Sequence, residues 1–329
     1  MNVLVSGGAG YIGSHAVREL RDAGHAVTVL DDLSKGHRGA VPEDVRLVVA
    51  DLGDPAALAG ALAGNQAVLH FAGLLSVGQS VADPASYYET NVVKGLALLQ
   101  AMRSAGVVRM IFSSTCATYG MPVRVPMAED HPQDPINPYG ASKRAFERAL
   151  LDYARAGWMR VACLRYFNAA GCHPDGSLGE HHDPEEHLIP LAIDAALGRR
   201  PGLTIHGDDY DTPDGTCIRD YIHVQDLAVA HVRALAALDT GEPWRAFNLG
   251  TEQGHSVREV VRSVESVTGR RVPAEVGPRR PGDPPRLVAS VGRARAELGF
   301  APVHVSLDAI VASACRWREA HPGGYGGTR

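Results

Sequence analysis

The chain has 329 residues, 45% of them hydrophobic and 21% charged, with a net charge of −5. That length supports a full core in one large α/β unit or two packed lobes, and the mildly acidic balance argues against an extended nucleic-acid surface. No apolar run reaches membrane-spanning length, and the cysteines (Cys116, Cys163, Cys172, Cys217 and Cys315) are scattered with no CxxC pair, so neither a disulfide scaffold nor structural zinc is expected, no metal site is assigned, and a reduced cytoplasmic setting is the simple reading.

Residues 3–6 read as a short apolar strand that runs straight into a glycine-rich turn. Nothing before it has a basic region or a cleavage pattern, so no signal peptide is expected. Residues 11–23 read as a helix and 26–30 as a second strand. Residues 45–49, 67–71 and 108–113 are further buried-type strands, with helix-like stretches at 55–63 and 84–105 between them. Apolar strands alternating with helices predict a parallel sheet covered on both faces, a doubly wound α/β fold. Residues 139–156 follow as a helix and 160–166 as a strand. The alternation then fails: residues 172–186 are polar, rich in Gly, His, Asp and Pro, and read as a loop. The expected division is a nucleotide-binding lobe over 1–170 and a smaller, mixed α/β substrate lobe over 171–329, with some later segments packing back on the first. The glycine-rich tail, 322–329, is expected to fray.

Gly7, Gly10 and Gly13 form GxxGxxG between the first strand and the first helix. Glycines there permit a tight turn and close approach of backbone to a pyrophosphate, while the helix N-terminus offers unpaired N–H groups. A Rossmann-like dinucleotide site is therefore expected. Asp31 ends the second strand, where a carboxylate bonds the adenosine ribose and repels a 2′-phosphate, favouring NAD over NADP. Asp51 and Leu52 follow the third strand, where an adenine amino group could be met.

Tyr139 and Lys143 stand four apart in PYGASK at the start of a predicted helix, which puts both on one face. A tyrosine alone is a poor base, with an unperturbed pKa of about 10. A nearby ammonium and a cationic nicotinamide favour the phenolate. Lys143 is also one of only three lysines in the chain. The strand end FSSTCATYG supplies Thr115 as a hydroxyl to share the reacting proton, flanked by Ser113 and Ser114.

With these motifs the chain resembles the extended short-chain dehydrogenase/reductase family, and within it the UDP-glucose 4-epimerases, over almost its full length. The resemblance is carried by GGAGYIGSH, DDLSKGHR, HFAG, ETNVVKG, FSSTCATYG, PYGASK and RYFNAAG. In the second lobe it is carried by HLIP, GDDYDTPDGTCIRDYIHVQDLA, FNLGT and RRPGDP. It implies catalytic Tyr139, Lys143 and Thr115. It further implies an NAD site formed by Gly7, Gly10, Tyr11, Ile12, Gly13, Asp31, Asp51, Leu52, Phe71, Ala72, Gly73, Asn91, Ser113, Lys143 and Tyr166. The UDP-sugar site it implies comprises Thr115, Tyr139, Asn168, His187, Leu188, Arg219, Arg280, Asp283 and Leu287, the last beside the sugar's C2 substituent. The implied reaction interconverts UDP-galactose and UDP-glucose through a 4-keto intermediate, with slower turnover of UDP-N-acetylhexosamines, in a homodimer. Three positions depart from the pattern: Thr115 where many relatives carry serine, Leu75 where some carry lysine, and His187 where others carry asparagine. A 4,6-dehydratase needs an acid–base pair after the threonine, where this chain has Cys116 and Ala117. A UDP-glucuronate 4-epimerase, another nucleotide-sugar epimerase, and a non-catalytic NAD-sensing protein are the other readings.

Overall fold

The computed structural model describes residues 1–280 and 282–326. Its first half alternates strand and helix: β1 (Asn2–Ser6), α1 (Tyr11–Asp22), β2 (Ala26–Asp31), β3 (Arg46–Val49), α2 (Pro55–Leu62) and β4 (Ala67–His70). Helix α2 starts where the residues require it: Pro55 takes the first position and the Asp54 carboxylate accepts from the N–H groups of Ala56 and Ala57 at 2.9 and 3.1 Å. A helix that periodicity did not suggest, α3 (Val77–Ala82), comes first, and the single helix expected over 84–105 is broken into α4 (Pro84–Tyr88), a π-helical turn over Glu89–Val93 and α5 (Lys94–Ser104). A π turn leaves no trace in hydrophobic periodicity, and such turns concentrate at functional positions; here it carries Asn91.

Next come β5 (Arg109–Thr115), α6 (Pro138–Arg155) and β6 (Arg160–Tyr166). Helix α6 is capped by Asn137, whose side-chain oxygen accepts from Gly140 N–H at 2.8 Å, with Pro138 in the first turn. β5 runs two residues further than periodicity suggested, so Ser114 and Thr115 lie in the strand itself. The remainder comprises β7 (Asn168–Ala170), α7 (Leu188–Ala196), β8 (Leu203–His206), β9 (Ile218–His223), α8 (Val224–Ala237), β10 (Trp244–Leu249), β11 (Gly254–Ser256), α9 (Val257–Thr268), β12 (Ala274–Gly277), β13 (Arg286–Leu287), α10 (Gly292–Leu298) and α11 (Leu307–Ala320).

Seven of the described strands form one parallel sheet in the order β10-β6-β5-β4-β1-β2-β3. Alternate residues feed opposite faces. Val3, Val5, Val29, Leu69 and Ile111 pack with Val17 and Leu20 of α1 and with Leu227 and Ala230 of α8. Leu4, Leu30, Val68, Met110 and Phe112 pack with Leu58, Leu99, Phe146 and Leu150 of α2, α5 and α6. This is a Rossmann-like doubly wound fold, and its strand order reverses between β1 and β4, where ligands settle at the carboxyl ends. β10 and α8, both from beyond residue 171, belong to this layer.

A second, smaller sheet has β9 at its centre, flanked by β11, β13 and β7. Its own core joins Ile189 and Ile193 of α7, Val260 and Val264 of α9, and Ile310 and Val311 of α11. The tail departs from expectation. Tyr325 donates to the Gly179 carbonyl at 2.9 Å and accepts from Gly179 N–H at 3.0 Å. Its ring stacks on His37 at 5.0 Å and tilts against Trp317 at 5.3 Å. An aromatic ring and two backbone hydrogen bonds therefore anchor a stretch whose glycines suggested fraying; residues 327–329 lie outside the described residues.

Candidate active site

The turn after β1 is built on glycine because nothing larger fits. Gly7 has φ +74°, and a Cβ there would stand 2.4 Å from the backbone nitrogen of Ala72; one on Gly13 would stand 2.1 Å from the Gly7 carbonyl oxygen. Gly10 caps α1 without a side-chain acceptor, so the first-turn N–H groups face the turn unpaired by any side chain. A bare backbone cradle of this kind at a helix N-terminus fits a pyrophosphate. Tyr11 and Ile12 enter the cradle through their backbone. The Tyr11 hydroxyl turns away to the Gly171 carbonyl at 2.7 Å, and its ring meets His15 and His182 edge-on.

Asp31 is 8% exposed, and each carboxylate oxygen accepts one backbone N–H at 2.9 Å, from Ala9 and from Leu33. Burial pushes its pKa up and those two bonds pull it back. The carboxylate thus braces the glycine turn, and each oxygen keeps lone pairs for a ribose hydroxyl. Asp51 is tied to Lys94 at 2.5 Å and to Gly53 N–H at 2.6 Å, and the lysine holds its carboxyl below the usual range. Leu52 is buried beside it. Lys94 is a partner that sequence reasoning missed.

The HFAG segment leaves β4 beside the cradle: the N–H groups of Phe71 and Ala72 both donate to the Ser6 carbonyl, at 2.8 and 3.0 Å. A Cβ on Gly73 would meet Asn91 Oδ1 at 2.8 Å and Lys143 Nζ at 3.2 Å. Asn91 accepts from Leu74 N–H at 2.8 Å and donates to the Leu74 carbonyl at 3.1 Å and to Ser142 Oγ at 3.0 Å. It clamps this segment to α6, and Ser142 is a second missed contributor. Leu75, just beyond, is exposed.

The carboxyl end of β5 meets the start of α6. Lys143, buried, donates to the Ser113 carbonyl at 3.2 Å; Ser113 Oγ in turn bonds the Tyr166 hydroxyl in a short contact. Burial brings the Lys143 pKa down to about 8, with Glu147 opposing. Burial pushes the half-buried Tyr139 phenol well above its ordinary value, and a hydrogen bond with Thr115 pulls it back. Thr115, itself buried, also accepts from Ala117 N–H at 3.1 Å. Beneath lies a pair that the sequence did not reveal: Arg165 Nη2 bonds Glu147 at 2.6 Å, both side chains almost fully buried, and Ser114 Oγ donates to the same carboxylate at 2.5 Å. Glu147 stands four residues after Lys143 on the same helix, the one local signal that could have pointed to it.

In the smaller sheet, β7 sets Asn168 in register with Tyr221 of β9, and β13 sets Leu287 in register with Arg219. Arg219 forms a close ion pair with Asp283, and its charge reaches Cys116 beside Thr115. Arg219, Asp283, Leu287 and the β5 end are therefore one neighbourhood. Arg280 is exposed, and its carbonyl accepts from Asp283 N–H at 3.2 Å. His187 caps α7 ahead of Leu188 and contacts Glu180 directly; burial lowers its basicity, but that carboxylate overrides it and raises the pKa.

Residues 3–250 match the family model for the NAD dependent epimerase/dehydratase family. The chain belongs to this family. It is 51% identical to a UDP-glucose 4-epimerase of Azospirillum brasilense over 320 residues, covering 97% of this chain and 92% of that one. It is similar to a crystal structure of a UDP-glucose 4-epimerase with TM-score 0.96 and 46% identity, covering 99% of this chain and 100% of the other. It is also similar to the UDP-glucose 4-epimerase of Brucella ovis in complex with NAD, with TM-score 0.92, 51% identity and coverages of 95% and 97%.

Proposed function

We propose that this chain is an NAD-dependent isomerase that interconverts UDP-galactose and UDP-glucose by inverting the sugar's C4 hydroxyl. The observation that carries the reading is the meeting of Tyr139, Thr115 and Lys143 at the strand ends beside the glycine cradle, with Arg219, Asp283 and Leu287 closing on the same place. The bound dinucleotide supplies the reversible acceptor for the C4 hydride.

Tyr139 removes the C4 hydroxyl proton, and Thr115 passes it between sugar and phenol. Lys143, four residues on along the same helix, is oriented through the Ser113 carbonyl and supplies a cation to the site. Asn91 holds the HFAG segment in place. The nucleotide is gripped by Asn168, His187, Leu188, Arg219, Arg280 and Asp283, so that remote binding energy retains the 4-keto sugar while it turns over. Leu287 offers the sugar an apolar wall without a hydrogen-bond donor, which leaves it free to rotate and present its other face. Asp31 selects NAD. Loss of water across C5–C6 is disfavoured, since burial pushes the Cys116 thiol up to about 12 and Ala117 carries only a methyl group.

UDP-N-acetylglucosamine is expected to turn over slowly. The active species is expected to be a cytoplasmic homodimer. Among the described residues no helix is long and apolar enough to cross a membrane. Val77, Val81, Tyr88 and Val93 leave an exposed apolar face on α3, α4 and the π turn, which a second copy would cover. Conversion of UDP-galactose into UDP-glucose by the purified chain, with NAD released on heat denaturation, tests the reading. Absence of both would overturn it.

A further inference from the structure

The loop between β7 and α7 carries a donor set of which only His187 has a part in the chemistry above. Glu180, His182, Glu185 and His187 each offer one ligand atom, and those four atoms all lie within 4.8 Å of one another. His182 Nδ1 stands 3.4 Å from Glu180 Oε1 and 3.5 Å from Glu185 Oε1; His187 Nδ1 stands 4.0 Å from Glu185 Oε1 and touches Glu180 Oε1. Four donors bound at about 2.0–2.2 Å to a tetrahedral zinc ion stand about 3.3 Å apart. Two of these separations lie near that edge, and small side-chain rotations adjust the others.

We propose that Glu180, His182, Glu185 and His187 hold one divalent transition-metal ion of the zinc class. Two carboxylates balance its charge and two neutral imidazoles complete it. The nitrogen donors favour zinc over magnesium or calcium, which take oxygen. Four protein ligands close the coordination sphere, so the ion is structural.

The surroundings are already organised. Glu185 Oε1 accepts from the N–H groups of Glu186 and His187 at 3.0 and 3.1 Å, which shapes the turn around that carboxylate. Its other oxygen is buried without a hydrogen-bond partner, 3.6 Å from Arg318 Nη1. Arg318 also donates to the Glu180 carbonyl at 3.4 Å, an outer layer of the kind that orients metal ligands. The loop bears on the cofactor cradle: His182 meets the Tyr11 ring edge-on, the carbonyl oxygen of His181 lies 3.1 Å from His37 Nε2, and that of Asp183 accepts from Lys35 at 2.9 Å. An ion here would pin the loop, the start of α7 and the cradle together. The site contains no cysteine, so the scattered cysteines do not bear on it, and it stands whether or not the chain epimerises a sugar.

The test uses the whole purified chain, treated with a chelator, incubated with excess zinc chloride and desalted before elemental analysis. A single equivalent of zinc per chain is expected. His182→Ala and Glu185→Gln, checked for folding by circular dichroism, are each expected to bind at least about tenfold more weakly. Cobalt in place of zinc is expected to give the visible absorption of a tetrahedral centre in the wild type. Wild-type chain that retains no zinc overturns the proposal and leaves a network of His–Glu ion pairs. Equal retention by the folded double variant His182→Ala/Glu185→Gln also overturns it, since the metal would then sit elsewhere. If a variant fails to fold, the wild-type stoichiometry and cobalt spectrum decide.

Discussion

The chemistry assigned to Tyr139 depends on a single oxygen. Burial holds its phenol protonated, and the hydrogen bond with Thr115 favours the phenolate. Tyr139→Phe is therefore predicted to keep the fold and bound NAD while kcat falls by roughly 10²–10⁴-fold; turnover above about a tenth of wild type would remove Tyr139 as the base. Leu287→Tyr places a bulky ring at the register position opposite Arg219. The kcat/KM ratio for UDP-glucose over UDP-N-acetylglucosamine is expected to rise, within the ~10–200-fold range of apolar size discrimination. An unchanged ratio would show that Leu287 faces away from the sugar. Gly7, Gly13, Tyr139 and Lys143 were legible because their meaning is local: a turn, a helix start, a four-residue spacing. Lys94 beneath Asp51, Ser142 beneath Asn91 and Arg165 beneath Glu147 were not, since 43, 51 and 18 residues separate those partners. Only the folded sheet brings them together.

Elements were legible in proportion to their length. The strands and helices of the first lobe are long enough for a period to show, whereas β7, β11 and β13 have three, three and two residues, too few for alternation. Burial also follows cross-sheet pairing there rather than pattern. The tail was misread because glycine content says nothing of one anchoring ring. Tyr325→Phe removes the hydroxyl that both accepts from and donates to Gly179. The loss of those bonds is expected to cost about 1–3 kcal/mol, read as a lower urea midpoint, with faster hydrogen exchange over residues 172–186. An unaltered midpoint would mean that the tail rests on the loop without supporting it.

For the whole molecule, buried histidines set the acid limit. His15, His70, His223 and His231 are almost fully buried, and burial above all lowers their pKa values to about 4, 3, 3 and 4 from an ordinary 6.5. Folded values below the unfolded ones mean that this stability is complete above pH 6.5 and is lost as pH falls towards the folded values, because the unfolded chain takes up protons that the native one refuses. Each histidine adds a slope of at most about 1.4 kcal/mol per pH unit across that window. Urea unfolding from about pH 7 down to about pH 4.5 is predicted to show a steep fall in stability, which His70→Gln would soften; a flat profile would contradict the account. The parallel sheet gathers Gly7, Asp31, Phe71, Ser113, Thr115 and Tyr166 at the carboxyl ends of its strands, so one architecture positions cofactor and base alike.

The central claim is that a C4 hydrogen leaves the sugar as hydride and returns to the other face of the same carbon. The direct measurement converts UDP-galactose deuterated at C4 in ordinary water and follows the label by mass spectrometry and NMR. The account predicts UDP-glucose with deuterium still on C4 and none lost to solvent. Deuterium washed into water, or product labelled elsewhere, would contradict it.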